Sequence, residues 1–128
     1  SSSQDNFLTY TIECTPDFVK WSVDGQETRT MYGDGIASFA HSPMKIKIGL
    51  STGGDPLKEP DYIEWAGGET HYSKLLYNLH IGGIKVAEYS TGTNYEYTDK
   101  SGSWESIKAI DGEVLGRIQD TQDKFDTL

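Results

Sequence analysis

Apolar residues recur at every second position in the first part of the chain, a period that predicts half-buried β-strands. The first such strand has an apolar face formed by Leu8, Tyr10, Ile12 and Cys14. The next strand has an apolar face formed by Val19, Trp21 and Val23. Asp24-Gly25 follows, a dipeptide typical of two-residue hairpin turns, so residues 26–31 are predicted to return as the partner strand.

The same alternation predicts further strands in the middle of the chain. Residues 44–50 alternate with period two, and residues 75–89 do so again on both sides of Gly82-Gly83. The second stretch therefore predicts two strands, or one strand with a bulge at the glycines. Between them, residues 51–68 are rich in Gly, Pro and acidic residues, which predicts a long loop. Loops of that length are more often functional than idle.

The period changes near the end of the sequence. Val114, Leu115, Ile118 and Phe125 fall at helical spacing and predict a short C-terminal helix from about residue 112 to 125. Gly116 within that stretch is an unfavourable helix residue. Strands, a hairpin and one short helix together predict an all-β fold. Eight Tyr and fourteen Gly fit twisted sheets with tight turns, although tyrosines in a groove can also stack on sugars.

Composition narrows the class of partner. A chain of 128 residues is at most one small domain. Eleven basic and twenty acidic residues give a net charge of −9, which disfavours nucleic acid and anionic lipid surfaces. No apolar run approaches the roughly 20 residues that a membrane-spanning helix needs. A single cysteine excludes a disulfide-stapled miniprotein.

The residues that most often carry chemistry form no catalytic set. His41, His71 and His80 lack the neighbours that a metal site requires, and Cys14 is expected to be a small buried apolar residue. A retaining glycosidase places two carboxyl groups about 5–5.5 Å apart, which a strand achieves with Glu-x-Asp-x-Glu. The nearest approach, Glu59 to Glu64, has one residue too many, contains proline and lies in the predicted loop. No catalytic residue is therefore assigned.

Several motifs, taken in order, carry a resemblance to a known family. The strand pair 7–12 and 21–29 looks like that of glycoside hydrolase family 16. Three later groups narrow the resemblance to the fungal Crh-type cell-wall transglycosylases: Ser42 to Gly49, Gly53-Gly54-Asp55-Pro56 with Ile63-Glu64-Trp65-Ala66-Gly67-Gly68, and Tyr95 to Asp99 with Ser101 to Ile107. The resemblance covers about residues 6 to 128.

The resemblance implies a jelly-roll β-sandwich whose concave sheet binds polysaccharide. It implies cleavage of a chitin oligomer with retention and its transfer to β-glucan, in a secreted, wall-associated protein with a lipid anchor in the parent. In the family, the catalytic glutamates precede everything present here, so residues 1–128 are expected to be the C-terminal portion of one domain and inactive alone. The chain is expected to be stable only beside the missing N-terminal half, or as a rearranged or associated fragment. No cofactor is expected, and no residue set specifies the structural calcium ion that the family allows.

Two other functions stay open: a catalytically silent carbohydrate-binding or structural wall module, and a generic β-sandwich interaction domain. Relatives usually carry His at Leu8 and Trp at Cys14 and Ser51, and Asp or Asn at His71, so the groove is expected to be altered. The residues expected to contact sugar are Trp65, Glu64, Tyr72 and His71. Packing is the alternative role for Trp65, and Trp21 and Trp104 are expected to be core residues.

Overall fold

A computed structural model describes residues 5–33, 44–73 and 77–125. The first sheet has three antiparallel strands in the order β1 (Tyr10–Cys14), β2 (Phe18–Val23) and β3 (Gln26–Tyr32). The second sheet pairs β4 (Asn94–Tyr97) with β5 (Ile107–Ile110). The helices are α1 (Pro60–Trp65), a 3₁₀ helix (Trp104–Ser106) and α2 (Ile118–Phe125). Two compact units result: Ser1–Pro43 with Lys85–Leu128, and Met44–Ile84.

The predicted hairpin is confirmed. Asp24 and Gly25 have φ angles of 49° and 76°, the two positive values that a type I′ turn requires. The Asp24 carboxylate also accepts a hydrogen bond from the backbone N–H of Thr9 at 2.8 Å. This bond ties the turn to the start of β1. The pairing places Ile12 opposite Trp21, so the apolar sides of β1 and β2 lie on one face, as the alternation predicts.

That apolar face is exposed. Tyr10 and Ile12 are 65% and 62% exposed, while the side chain of Glu13, on the opposite face, is only 12% exposed. Cys14 is exposed as well, so the prediction of a buried cysteine is wrong. The cause is that no layer covers this side of β1 among the described residues of its own unit.

The opposite face of β1 is held by Glu13. Its carboxylate lies 2.7 Å from Nζ of Lys20 on β2 and accepts hydrogen bonds from the Tyr89 hydroxyl at 2.7 Å and from the Gln122 amide at 2.9 Å. Burial raises the pKa of Glu13, but the bonds from Lys20, Gln122 and Tyr89 outweigh that effect and hold the pKa below its ordinary value. One carboxylate thus links two strands, the segment at residue 89 and helix α2.

The strands predicted in the middle of the chain are not formed. Residues 44–50 and 77–89 have no strand structure, and residues 75–76 of the second prediction lie outside the described residues. A strand is stabilised by hydrogen bonds to a neighbouring strand, whatever its side-chain alternation. Among the described residues neither segment has such a neighbour. Their apolar side chains stay exposed, for example Ile48 at 52% and Val86 at 75%.

Helix α2 is shorter than predicted because the backbone before it is left-handed. Leu115 has a φ of 58°, which no right-handed helix accommodates, so the helix begins at Ile118 rather than near residue 112. Trp104, predicted to be a core residue, is 41% exposed, whereas Trp21 is half-buried beneath the Arg29 guanidinium. No helix within the described residues is long and apolar enough to cross a membrane.

Candidate functional site

Helix α1 lies inside the stretch that was predicted to be a loop, so that prediction is wrong for residues 60–65. Pro60 begins the helix, where its missing N–H costs nothing. Gly67 and Gly68 end it with φ angles of 87° and 117°. Their N–H groups donate to the carbonyl oxygens of Glu64 and Ile63 at 3.0 and 2.9 Å, which is a Schellman cap. The Pro start and the Gly-Gly end are signals that the sequence offered.

The helix presents aromatic side chains to solvent. Trp65, its last residue, is 85% exposed, and Tyr62, one turn earlier, is 60% exposed. Together with Asp61 they line a shallow depression of about 310 Å³. Sequence reasoning selected Trp65 but missed Tyr62, whose spacing of three residues from Trp65 places it on the same side of a helix. Exposed rings beside a carboxylate are the groups that contact sugar faces and hydroxyls.

A glycine contact fixes the loop before α1 against the segment after it. Gly54 is buried, and its carbonyl oxygen accepts a hydrogen bond from the N–H of Thr70 at 2.8 Å. A Cβ at Gly54 would lie 2.0 Å from the carbonyl oxygen of Gly68, so no larger residue fits without moving the backbone. The two glycine motifs quoted for the family resemblance therefore touch each other.

Tyr72 is joined to the same loop by Asp55. The Tyr72 hydroxyl donates to Oδ2 of Asp55 at 2.5 Å, while Oδ1 accepts the N–H of Leu57 at 2.9 Å. The bond from Tyr72, followed by that from Leu57, lowers the pKa of Asp55, and the same bond raises the pKa of Tyr72. Asp55 belongs to the Gly53-Gly54-Asp55-Pro56 motif, but no sequence pattern predicts its bond to Tyr72, seventeen residues away.

All four predicted sugar-binding residues lie in the unit Met44–Ile84. Glu64 and Trp65 are consecutive at the end of α1, and His71 and Tyr72 are consecutive after the Thr70 contact. Glu64 and His71 have exposed side chains, and the His71 carbonyl accepts a hydrogen bond from Tyr77 at 3.2 Å. Trp65 thus stands at the end of a capped helix, and Tyr72 is hydrogen-bonded to Asp55. For Glu64 and His71 the observation that bears on sugar binding is that their side chains are exposed.

The residues that differ from the family pattern are divided between the two units. Leu8 and Cys14 lie in or beside β1, and Ser51 lies in the other unit, where it is exposed. His41 lies outside the described residues. Glu59 immediately precedes α1 and makes no capping bond through its side chain. Among residues 5–33, 44–73 and 77–125, no group of three or more His, Cys, Asp and Glu side chains is placed to hold a metal ion.

A family model and the relatives found by comparison with known proteins agree on one family. The family model described as glycosyl hydrolases family 16 matches residues 1–67. Crh-like protein CRH11 of Candida albicans is 47% identical over 96% of this chain and 27% of its own length. Congo red hypersensitive protein 1 of Saccharomyces cerevisiae is 40% identical over 97% of this chain and 24% of its own length.

A solved structure, described as Crh5 transglycosylase in complex with NAG, superimposes with a TM-score of 0.55 at 38% identity. The match covers 83% of this chain and 45% of that chain. This likeness and the antiparallel sheets confirm the predicted all-β, jelly-roll fold class. The chain spans about a quarter of the length of the curated relatives it matches and less than half of the solved Crh5 chain.

Proposed function

The chain belongs to glycoside hydrolase family 16, and from that membership we propose that it is the C-terminal portion of a fungal Crh-type transglycosylase domain. The complete domain cleaves chitin oligomers with retention and transfers them to β-glucan. This chain supplies part of the polysaccharide-binding surface, and the N-terminal half of the domain supplies the catalytic carboxylates.

One observation carries the proposal: the likeness, at 38% identity, to a Crh5 transglycosylase whose structure contains NAG. NAG is the repeating sugar of chitin, which makes chitin oligomers the first substrates to test. The exposed Trp65 at the capped end of α1 supports a sugar-stacking role, because its indole ring offers a flat apolar surface to a ligand from a backbone position that the cap defines.

A retaining mechanism needs a pair of carboxylates, and this paired arrangement is what we do not assign to this chain. A retaining mechanism requires one carboxylate to attack the anomeric carbon and a second, about 5–5.5 Å away, to protonate the leaving oxygen and later deprotonate the acceptor hydroxyl. Glu59 and Glu64 sit at the two ends of a helix rather than on one face of a strand. We assign to this chain the binding of sugar, through Trp65, Tyr72, Glu64 and His71, and not the bond-breaking step.

The uncovered face of β1 supports the division of the domain. Burying a large apolar side chain contributes about 1.5–3 kcal/mol, so Tyr10 and Ile12 favour contact with a further layer. The N-terminal half of the same domain fits this role because the chain matches only 45% of the solved Crh5 chain. Secretion, location in the cell wall and a lipid anchor in the parent protein belong to the same proposal.

A reconstitution experiment tests the proposal. The 128-residue chain is incubated with labelled chitin oligomer and β-glucan acceptor, first alone and then with the separately produced N-terminal half of the domain. The complete gene product is the positive control, and a complete protein carrying Trp65→Ala is compared with Trp104→Ala as an aromatic control of similar size. We expect transfer by the reconstituted and complete proteins, none by the chain alone, and weaker sugar binding for Trp65→Ala than for Trp104→Ala.

The outcomes separate the functions that the sequence leaves open. Transfer by the isolated chain contradicts the absence of a catalytic pair. Retention on chitin or β-glucan without transfer by the complete protein identifies a silent binding module instead. A complete protein that neither binds nor transfers is a generic β-sandwich interaction domain, and the proposed function is then wrong.

A further inference from the structure

We propose that Asp55 is a positioning residue that holds the Tyr72 ring as a sugar contact and completes a polysaccharide subsite with it. The proposal rests on the proposed function, since it names a further part of the same binding surface. It joins two residues from segments on either side of α1. Asp55 lies in the loop that leads into the helix, and Tyr72 follows the Thr70 contact that returns to that loop.

The geometry determines the orientation of Tyr72. Its hydroxyl donates to Oδ2 of Asp55 at 2.5 Å and lies 3.4 Å from Oγ1 of Thr52. Asp55 is itself held, because Oδ1 accepts the N–H of Leu57 at 2.9 Å and closes a tight turn. The phenol end of Tyr72 is therefore fixed at a carboxylate that cannot rotate freely. A fixed ring binds a ligand without the loss of rotamer freedom that a free tyrosine undergoes.

The same bonds leave binding groups available. Tyr72 is still 46% exposed although its hydroxyl is engaged, so the ring remains accessible. Each carboxylate oxygen of Asp55 accepts one of these bonds and retains a second lone pair for a sugar hydroxyl. An aromatic ring beside a carboxylate that has spare acceptor capacity matches the apolar face and the hydroxyl rim of a sugar.

The backbone beneath the pair is built to keep it in place. Gly54 precedes Asp55, and its carbonyl oxygen accepts the N–H of Thr70, two residues before Tyr72, at 2.8 Å. Gly54 has no room for a side chain, since a Cβ would meet the Gly68 carbonyl oxygen at 2.0 Å. The loop and the returning segment therefore approach at backbone distance, and Asp55 meets Tyr72 just beyond that approach.

Variants of the complete gene product test the role of Asp55. Asp55→Ala, Tyr72→Phe and the double variant are compared with Tyr77→Phe, a matched control that removes a hydroxyl which, within the described part of the chain, donates to the His71 carbonyl of the same unit. The measurements are the Kd for chitin hexasaccharide and for laminarin, and the KM and kcat for transfer. We expect Asp55→Ala to raise Kd and KM for one of these sugars roughly 2- to 10-fold, with kcat changed less than about twofold.

Two further readouts distinguish positioning from a purely structural role. The double variant is expected to bind within about twofold of Asp55→Ala. Asp55→Ala already removes both the bond to Tyr72 and the acceptor offered to a sugar hydroxyl, so the added loss of the Tyr72 hydroxyl removes no further contact. The second readout is a ¹³C NMR titration of the Tyr72 Cζ signal, which is assigned by its absence in Tyr72→Phe. The pKa of Tyr72 is expected to lie above the ordinary tyrosine value of about 10 in the wild type and to return towards that value in Asp55→Ala. Should Asp55→Ala fail to fold, Tyr72→Phe, which keeps the ring and the loop, decides the question through its Kd.

Each result has one meaning. Unchanged binding by both single variants in a protein that binds sugar overturns the role of Asp55 and leaves the proposed function standing. A change equal to that of Tyr77→Phe overturns it too, because loss of any hydroxyl would then suffice. A wild-type protein that binds neither sugar overturns the proposed function and the subsite with it.

Discussion

Replacing Glu13 by Ala should release helix α2 from the three-stranded sheet. The Gln122 amide of α2 donates to the Glu13 carboxylate of β1 at 2.9 Å, which is a direct side-chain link between the helix and the sheet. The same carboxylate holds Lys20 and Tyr89, so its loss leaves three donors without this acceptor. We expect the amides of Ile118–Phe125 to lose protection while the hairpin at Asp24 and Gly25 keeps its own.

The magnitude follows from the charge and the burial of the acceptor. A hydrogen bond to a charged group contributes about 1.5–3 kcal/mol, and the side chain of Glu13 is only 12% exposed, so solvent screening is small. A loss of about 1.5–3 kcal/mol corresponds to roughly a 10- to 150-fold drop in protection. Glu13→Gln keeps an acceptor but removes its charge, so we expect an intermediate drop for that variant.

The effect also has a defined dependence on pH. Folding lowers the pKa of Glu13, so the stabilising contribution of the ionised form is fully present above the ordinary glutamate value of about 4.3. It is lost as the pH falls through that value and then through the lower value of the folded protein. The difference between wild type and Glu13→Ala should therefore be largest at neutral pH and should shrink as the pH is lowered below about 4.

Hydrogen exchange measured by mass spectrometry on the complete gene product provides the assay, with rates corrected for intrinsic exchange at each pH. Glu27→Ala is the matched control, since Glu27 lies on β3 of the same sheet, is exposed, and accepts a hydrogen bond at 2.8 Å from the hydroxyl of Thr30 on its own strand. Protection of α2 that is equal in wild type and Glu13→Ala at pH 7 would refute the anchoring role. A difference that grows in acid would refute the sign of the pKa argument.

Three further changes test local features. Gly54→Ala should abolish the contact with Gly68 and destabilise the unit Met44–Ile84 by more than about 2 kcal/mol, as measured by local exchange, because the new Cβ meets a carbonyl oxygen at 2.0 Å. Gly25→Val should cost about 1–2 kcal/mol in hairpin stability, since its φ of 76° is unfavourable for a residue with a Cβ, and unchanged protection there would contradict this. The Cys14 residue is exposed, so its thiol should be alkylated in the isolated chain but shielded in the reconstituted domain. It should react more slowly than a free thiol at pH 8, because partial desolvation of the sulfur and then the charge of Glu13 raise its pKa.

The features that sequence predicted correctly are those that neighbouring residues determine. The hairpin at Asp24 and Gly25 depends on two consecutive residues that tolerate positive φ, and the alternation in β1 and β2 requires only that these two strands meet. The same alternation predicts strands at residues 44–50 and 77–89, and this prediction is wrong. A strand also needs a neighbouring strand to receive its backbone hydrogen bonds. Helix α1 lies in a stretch whose Pro and Gly content predicts a loop, because Pro and Gly are frequent in loops as well as at the two ends of a helix.

The contacts that join distant segments could not be predicted. Glu13 meets Tyr89 and Gln122 across separations of 76 and 109 residues, and no local pattern selects one distant partner over another. The bond between Asp55 and Tyr72 spans seventeen residues and depends on the backbone approach at Gly54, which only the folded loop reveals. Trp65 is named from the sequence as a sugar contact, which stays a prediction, while its position at the end of a capped helix is visible only in the structure.

The burial of β1 gives the proposed division of the domain its physical basis. Within one strand, polar Thr11 and Glu13 are half-buried while apolar Tyr10 and Ile12 are exposed, the reverse of what the transfer of apolar surface from water favours. On the polar face, in contrast, the Glu13 carboxylate is bonded by Lys20, Tyr89 and Gln122. Exchanging the two faces of the strand would therefore break these bonds. The described arrangement is therefore favourable on one face and incomplete on the other. A second layer placed against Tyr10 and Ile12 would complete it without disturbing Glu13, which is what the N-terminal half of a β-sandwich would supply.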